Sequence, residues 1–326
     1  MRPLRSFLAV LVATAGLGSL AACSSGSGGS ASSAGAASTG ATTRTVKTAE
    51  GDVVVPSSPQ RIVAIQPYVI SDLQDVGDAS KVIGTYDEGA QYVSPRYLAV
   101  YNKAAKVGND GQLDLEKIAA LKPDLIIGTN YTWNTQDYKE LSAIAPTVIA
   151  PVTSWQATAQ TVADAVGRSA QIKALTTQLT TEETQIKTQY AAQLAKYKWD
   201  ILQGGFDAGQ YWIYGPGTDI GTVLAAAGVR FATASASVSG DNSDSVSYER
   251  IDELADADVI GYYSDYTSST PTNDGPQLFA QGGFKALAAT KAHRLVAIPD
   301  FLPGGYGDAL GALAELRTGL KALASS

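Results

Sequence analysis

Between Ala170 and Lys196 the chain has neither glycine nor proline, while apolar side chains recur at Ile172, Leu175, Leu179, Ile186, Tyr190 and Leu194 with polar residues between them. Glycine and proline are the residues that most readily end a helix, so this spacing predicts one uninterrupted amphipathic helix. At 1.5 Å per residue it would reach roughly 40 Å, the breadth of a small domain. Whatever precedes and follows such an element must be organised around a strut. A coiled-coil seam is the other common use of a helix this long, but the repeat is too short and irregular to favour it.

Both flanks of the strut carry the same pattern. Before it, apolar β-branched runs at Arg61-Ile62-Val63-Ala64-Ile65, Val82-Ile83-Gly84, Asp124-Leu125-Ile126-Ile127-Gly128 and Thr147-Val148-Ile149-Ala150 alternate with helical stretches. One of these, Leu115 to Leu121, ends at Lys122-Pro123, where proline disfavours further helix. After the strut come strand-like Asp200-Ile201-Leu202, Tyr211-Trp212-Ile213-Tyr214, Asp258-Val259-Ile260 and Arg294-Leu295-Val296-Ala297-Ile298, with helices around 220–227, 248–254 and 309–323. This alternation predicts α/β architecture with parallel sheets covered by helices. The expected organisation is two Rossmann-like lobes, 46–169 and 198–326, joined by a single long rigid helix over 170–197. A globular part of about 280 residues is also more than one core usually covers. The Ser- and Asp-rich segment from Thr233 to Ser247 reads as a solvated surface loop.

The N-terminus has a separate character. Arg2 and Arg5 precede an uncharged run from Phe7 to Leu20 that ends in Leu20-Ala21-Ala22-Cys23. The run is short for a spanning helix, which needs about 20 residues, and reads as a secretory signal over 1–22 with a lipoprotein cleavage site. Cys23 is the single cysteine, so an exported chain has no internal disulfide and the thiol is placed to become a lipidated N-terminus. From there to residue 45 the composition is almost wholly Ser, Gly, Ala and Thr, a flexible tether. The expected location is the extracytoplasmic face of the cell membrane, held by the lipid. A formal net charge of -7 argues against nucleic acid as a partner.

Catalysis finds little support. There is no cysteine nucleophile in the globular part, one histidine, His293, and no glycine-rich phosphate fingerprint at a strand-to-helix turn, so no catalytic residues are assigned. The same counts bear on ligands. A bare transition-metal receptor needs several imidazoles or clustered carboxylates, and haem needs an axial His, Met or Tyr, whereas Met1 is the single methionine. No metal ligands and no cofactor are assigned.

Two stretches carry a specific resemblance. Val55-Pro56-Ser57-Ser58-Pro59-Gln60-Arg61-Ile62-Val63 and Leu113-Asp114-Leu115-Glu116-Lys117-Ile118-Ala119-Ala120-Leu121-Lys122-Pro123-Asp124-Leu125-Ile126-Ile127 resemble the ABC-importer binding proteins for ferric siderophores, haem and cobalamin, whose two lobes are joined by one rigid helix (the class III solute-binding fold). Weaker echoes follow in the same order at Tyr214-Gly215-Pro216-Gly217-Thr218, Ser247-Tyr248-Glu249-Arg250-Ile251 and 287–296. The resemblance implies a monomeric receptor that captures its ligand outside the cytoplasm and passes it to an ABC permease dimer with its ATPase. It also implies that one exposed glutamate per lobe docks on the permease, here Glu116 and Glu249. Each taken alone is an ordinary solvated helix residue, and Arg250 could pair locally with a nearby acid.

Ligands of open α/β sheets collect beyond the carboxyl ends of the strands. The loops expected there are aromatic: Tyr68, Tyr86, Tyr131, Trp133 and Trp155 in the first lobe, and Trp212, Tyr214, Tyr263, Tyr266, Phe301 and Tyr306 in the second. Arg96 is a candidate donor to ligand oxygens. The resemblance places Thr218 and Asp219 where catecholate receptors tend to carry arginine, so the expected ligand is a ferric siderophore of hydroxamate type, neutral or singly cationic and suited to an aromatic cleft with few bases. Ferric iron enters only as part of that ligand. Cobalamin, haem or another bulky ligand on the same fold, and a non-transport structural surface lipoprotein, remain the alternatives.

Overall fold

The computed structural model describes residues 42–240 and 243–325. The signal segment, Cys23 and most of the tether lie outside the described residues. The fold begins earlier than expected, in an antiparallel hairpin of β1 (Thr43–Thr48) and β2 (Gly51–Pro56). Arg44 explains the early start. Its guanidinium donates to the carbonyls of Ser57, Asp164 and Ala165 at 2.6, 2.7 and 2.6 Å, pinning the hairpin to the last turn of the helix Trp155–Val166, where the unpaired carbonyls favour a cation.

The first lobe is a five-stranded, wholly parallel sheet. Its strands are β3 (Ile62–Ala64), β4 (Val82–Thr85), β5 (Ala105–Lys106), β8 (Leu125–Thr129) and β9 (Thr147–Ala150), in the order β5-β4-β3-β8-β9. Two two-residue strands, β6 (Gly108–Asn109) and β7 (Gln112–Leu113), form a separate hairpin between β5 and β8. β3, β8 and β9 are buried along their whole length, as a parallel sheet covered on both faces requires.

The second lobe departs from the all-parallel expectation. β10 (Lys198–Gly204), β14 (Val259–Tyr263) and β15 (Leu295–Ile298) run parallel, but β11 (Gln210–Tyr214) returns antiparallel on β10, and β13 (Ser243–Ser247) adds antiparallel to β11. The short β12 (Arg230–Phe231) shares with β11 the same side of β10. The supposed loop over 233–247 is therefore largely structured. Thr233–Ser237 is a helix, and the Ser235 amide donates to Asp200 while its hydroxyl accepts the Ile201 amide, both at 2.9 Å.

The strut also differs in detail. It runs as Ser169–Gln189, 21 residues or roughly 32 Å, then leaves helical geometry at Tyr190 (φ -114, ψ 25) and resumes as Ala191–Lys196. Tyr190 and Leu194 are both buried, so the bend turns them into the core, a change that apolar spacing alone does not reveal. Ile172, Leu179 and Ile186, seven apart, face the body. On the outer face Thr177, Thr181, Thr184 and Thr188 each return their hydroxyl to the carbonyl four residues back. The C-terminal helix Tyr306–Ala324 closes the structure, packing on the strut, on β15 and on the first-lobe helix Tyr68–Asp75.

Candidate functional site

Every parallel strand except the short β5 and β12 delivers its following loop to one cleft between the lobes. Tyr68 follows β3, Glu88 follows β4, Tyr131 follows β8 and Val152 follows β9, while Phe206 follows β10, Tyr266 follows β14 and Pro299 follows β15. This is the carboxyl-end geometry of open α/β sheets, doubled. The cleft holds two chambers of about 270 and 250 Å³, both bordered by Tyr68 and Leu302. Large apolar side chains left exposed gather here. Tyr92, Tyr131, Val152, Phe206 and Leu302 all border a chamber and are 37–74% exposed, a concentration that marks a contact surface. A larger groove of about 620 Å³ lies along 106–117 of the first lobe; it is bordered by that lobe alone and its wall is mostly polar.

Of the aromatic residues singled out, Tyr68, Tyr131, Trp155, Tyr263 and Tyr266 border the chambers. The others do not. Tyr86 and Trp133 pack on each other with ring centroids 4.3 Å apart, and the Tyr86 hydroxyl accepts the Gly111 amide, which holds both rings to the β6–β7 hairpin. Phe301 is fully buried, stacked on Tyr263 at 5.2 Å and edge-on to Tyr214 at 4.8 Å, so it stiffens the wall from behind. Tyr214 is turned to Gln203, to which its hydroxyl donates at 2.5 Å. Trp212 faces Phe206, centroids 6.3 Å apart. Tyr306 is buried against Trp155 and shares a 2.8 Å hydrogen bond with Thr176 of the strut.

Arg96, expected to donate to ligand oxygens, is turned away from the cleft. Both of its amino groups are taken, one by Asp75 and one by Asp308 at 2.5 Å, and it borders neither chamber. Asp308 further accepts the Ser71 hydroxyl at 2.6 Å and the Gly304 amide at 3.2 Å. The guanidinium thus joins the first lobe to the C-terminal helix. Gly305 and Gly307 make this possible, because a Cβ at either would meet Asp75 or the Arg96 guanidinium. Asp72 lies in the same seam with neither oxygen bonded, and burial, followed by the charges of Asp75 and Asp308, pushes its carboxyl well up.

Among the described residues no Lys, Arg or His side chain borders either chamber, whereas Glu88, Asp219 and Asp308 do. The cleft is therefore acidic and aromatic. Its field acts on the tyrosines: burial first and then the charge of Glu88 raise the hydroxyls of Tyr68 and Tyr263, the latter to about 12. Glu88, Tyr92 and Tyr97 come from one loop after β4 that composition did not flag, although its place after a predicted strand end could have done so. Glu116 and Glu249 are both exposed and occupy matching positions. Each stands two residues after a capping side chain, Asp114 or Ser247, in the first turn of a short helix. Arg250 pairs with Glu253 at 2.6 Å, not with Glu249.

The sequence profile of periplasmic binding proteins matches residues 62–301, spanning both sheets and the strut. The chain belongs to the periplasmic binding protein family. Two Bacillus subtilis proteins are similar in sequence. One, named an ABC transporter substrate-binding lipoprotein, YhfQ, is 34% identical over 98 residues, 30% of each chain. The other, the petrobactin-binding protein YclQ, is 34% identical over 96 residues, 29% of this chain and 28% of YclQ. These alignments cover under a third of either relative's length. The fold is shared over most of the chain. The siderophore periplasmic binding protein from the fuscachelin gene cluster of Thermobifida fusca superposes with a TM-score of 0.72 at 24% identity, covering 82% of this chain and 98% of that one. The YclQ crystal structure gives 0.69 at 23% identity, covering 86% and 99%. These neighbours have the two-lobed, single-helix architecture of class III binding proteins. No helix among the described residues is long and apolar enough to cross a membrane.

Proposed function

We propose that this chain is the extracytoplasmic receptor of an ABC importer, tethered through a lipid on Cys23, and that it captures a ferric siderophore of hydroxamate type and delivers it to the permease. The observation that carries the ligand class is that, among the described residues, no basic side chain borders the two chambers, where tyrosine rings and three carboxylates stand instead, one of them, Asp308, paired with Arg96 behind the wall. A ferric tris-catecholate brings about three negative charges and calls for arginine, and this cleft would repel it. A ferric hydroxamate is neutral or singly cationic and meets rings and acids without penalty. The names of the relatives support the broader class: YclQ is a petrobactin-binding protein, and the Thermobifida fusca neighbour is a siderophore binding protein.

Delivery rests on Glu116 and Glu249, which on this reading register the two lobes over the two permease subunits by charge. The ligand reading is tested by tryptophan fluorescence of the full chain titrated with ferrioxamine B, a ferric tris-catecholate, haem and cobalamin. Trp155 borders one chamber, so a bound ligand quenches saturably. Saturation by ferrioxamine B alone is expected. Saturation by the catecholate would overturn the hydroxamate assignment, and saturation by cobalamin would move the protein to the bulky neutral ligands of the same fold.

A further inference from the structure

Glu88 is unlike the other acids of the cleft. Asp308 is held by Arg96, Ser71 and Gly304, and Asp219 opens a helix whose amide end favours its charge. The Glu88 carboxylate has no hydrogen-bond or ion-pair partner among the described residues, and burial alone raises it. It borders the same chamber as Tyr68, Tyr92, Tyr97, Tyr263 and Tyr266, and its charge adds to burial in raising the hydroxyls of Tyr68, Tyr97 and Tyr263. Lys106, on β5 beside this loop, is engaged elsewhere, with its ammonium over the Tyr101 ring and donating to the Tyr101 carbonyl.

The segment carrying this unpaired carboxylate is firmly held. The buried Tyr101 hydroxyl donates to Asp87 at 2.7 Å and accepts the amides of Glu88 and Gly89 at 2.9 and 3.1 Å. Gly89 then turns the chain at φ 88, a conformation that favours glycine. Glu88 is half-buried, so its carboxylate loses part of its hydration with no protein donor to offset the loss, and the fold nevertheless fixes its backbone in this way.

The geometry points to Glu88 as the counter-charge for an ammonium group on the ligand, held in the box of tyrosine rings. Carboxylate plus aromatic faces is the pairing that recognises organic ammonium ions. The chamber is small, about 270 Å³, so it takes a side arm, while the bulk of the ligand rests on the exposed Tyr92, Phe206 and Leu302 at its rim. This assignment rests on the cleft being the ligand site, as proposed above, and adds that the ligand class carries a cationic arm.

The test is calorimetric titration of the full chain with ferrioxamine B, whose arm ends in an ammonium, and with its N-acetylated form, which has the same iron centre and no charge. Each is run on the wild type, Glu88→Gln and the charge-keeping Glu88→Asp, with thermal melts to check folding. The wild type is expected to prefer the ammonium form by about ten- to a hundredfold, Glu88→Gln to lose that preference, and Glu88→Asp to keep part of it. n-Pentylammonium alone is titrated in parallel and is expected to bind weakly and saturably in the wild type and not in Glu88→Gln. If both ferric complexes bind equally in wild type and variant, the cation site is overturned and the siderophore reading stands. If neither complex binds but n-pentylammonium does so through Glu88, the cation site stands and the hydroxamate reading fails. No binding of any probe overturns both.

Discussion

Asp300 and Glu315 are two carboxyls that the cleft does not use. Burial and then the charge of Asp308 push Asp300 up to about 7, while burial and then the charge of Asp300 push Glu315 up to about 9. The sign follows from linkage. Both groups ionise in the unfolded chain near the ordinary carboxylate range, so between there and these raised values the folded protein binds more protons and loses stability as pH rises. The melting temperature is therefore expected to fall between about pH 5 and pH 9, and Glu315→Gln to flatten that fall. A melting curve set with the same pH slope in wild type and variant would remove Glu315 from the account. At this scale the sequence was partly legible. Tyr263 closes β14 and Tyr266 lies three residues beyond it. The role of Arg96 is hidden in the sequence because its partners Asp75 and Asp308 lie 21 and 212 residues away in the chain. Glu88 escaped notice because its meaning lies in the donors that are missing around it, and no sequence pattern records that.

Among the elements, the C-terminal helix depends most on residues that have no side chain. A Cβ at Gly307 would enter the Arg96 guanidinium, which cannot swing aside while Asp75 and Asp308 hold it, and the Gly307 amide itself donates to Asp75 at 2.8 Å. Gly307→Ala is expected to cost about 1–3 kcal/mol, the usual range for overpacking. Gly282→Ala, in a helix where nothing lies within 4 Å of the new carbon, should be neutral or slightly stabilising. Denaturant melts of the two variants check this, and equal midpoints would count against the seam. The strut was legible because its 27 residues from Ala170 to Lys196 contain no glycine or proline and carry apolar side chains at helical spacing. Its bend at Tyr190 was not, since no glycine or proline marks it. The segment 233–247 misled for a different reason: β13 lies at the edge of the sheet and buries only Val246 fully among its five residues, so it needs few apolar side chains and reads as loop.

For the whole molecule, the two lobes could be read from repeated alternation, but their joining could not, because glycine-lined packing and a shared guanidinium appear only once the chain has folded. The lobes meet at the strut and again where Tyr306 packs on Trp155 and Asp308 binds Ser71 and Arg96. Ligand binding is therefore expected to move one lobe against the other by no more than a few degrees; a large hinge rotation between matched apo and ligand-bound crystals would refute this. Docking makes a separate prediction. Glu116→Lys combined with Glu249→Lys should abolish uptake by cells while leaving ligand affinity unchanged, and undiminished uptake would remove both residues from the interface.

The guanidinium shared by Asp75 and Asp308 has a consequence for how a full receptor differs from an empty one. A pair of jaws fastened at the back by buried charges signals little through its outline, because neither jaw can travel far without stranding a carboxylate away from water. On the proposed importer role, a membrane partner that must tell the two apart would feel for cargo at the rim, where Phe206 stands 74% exposed, and not for a change in the distance between Glu116 and Glu249.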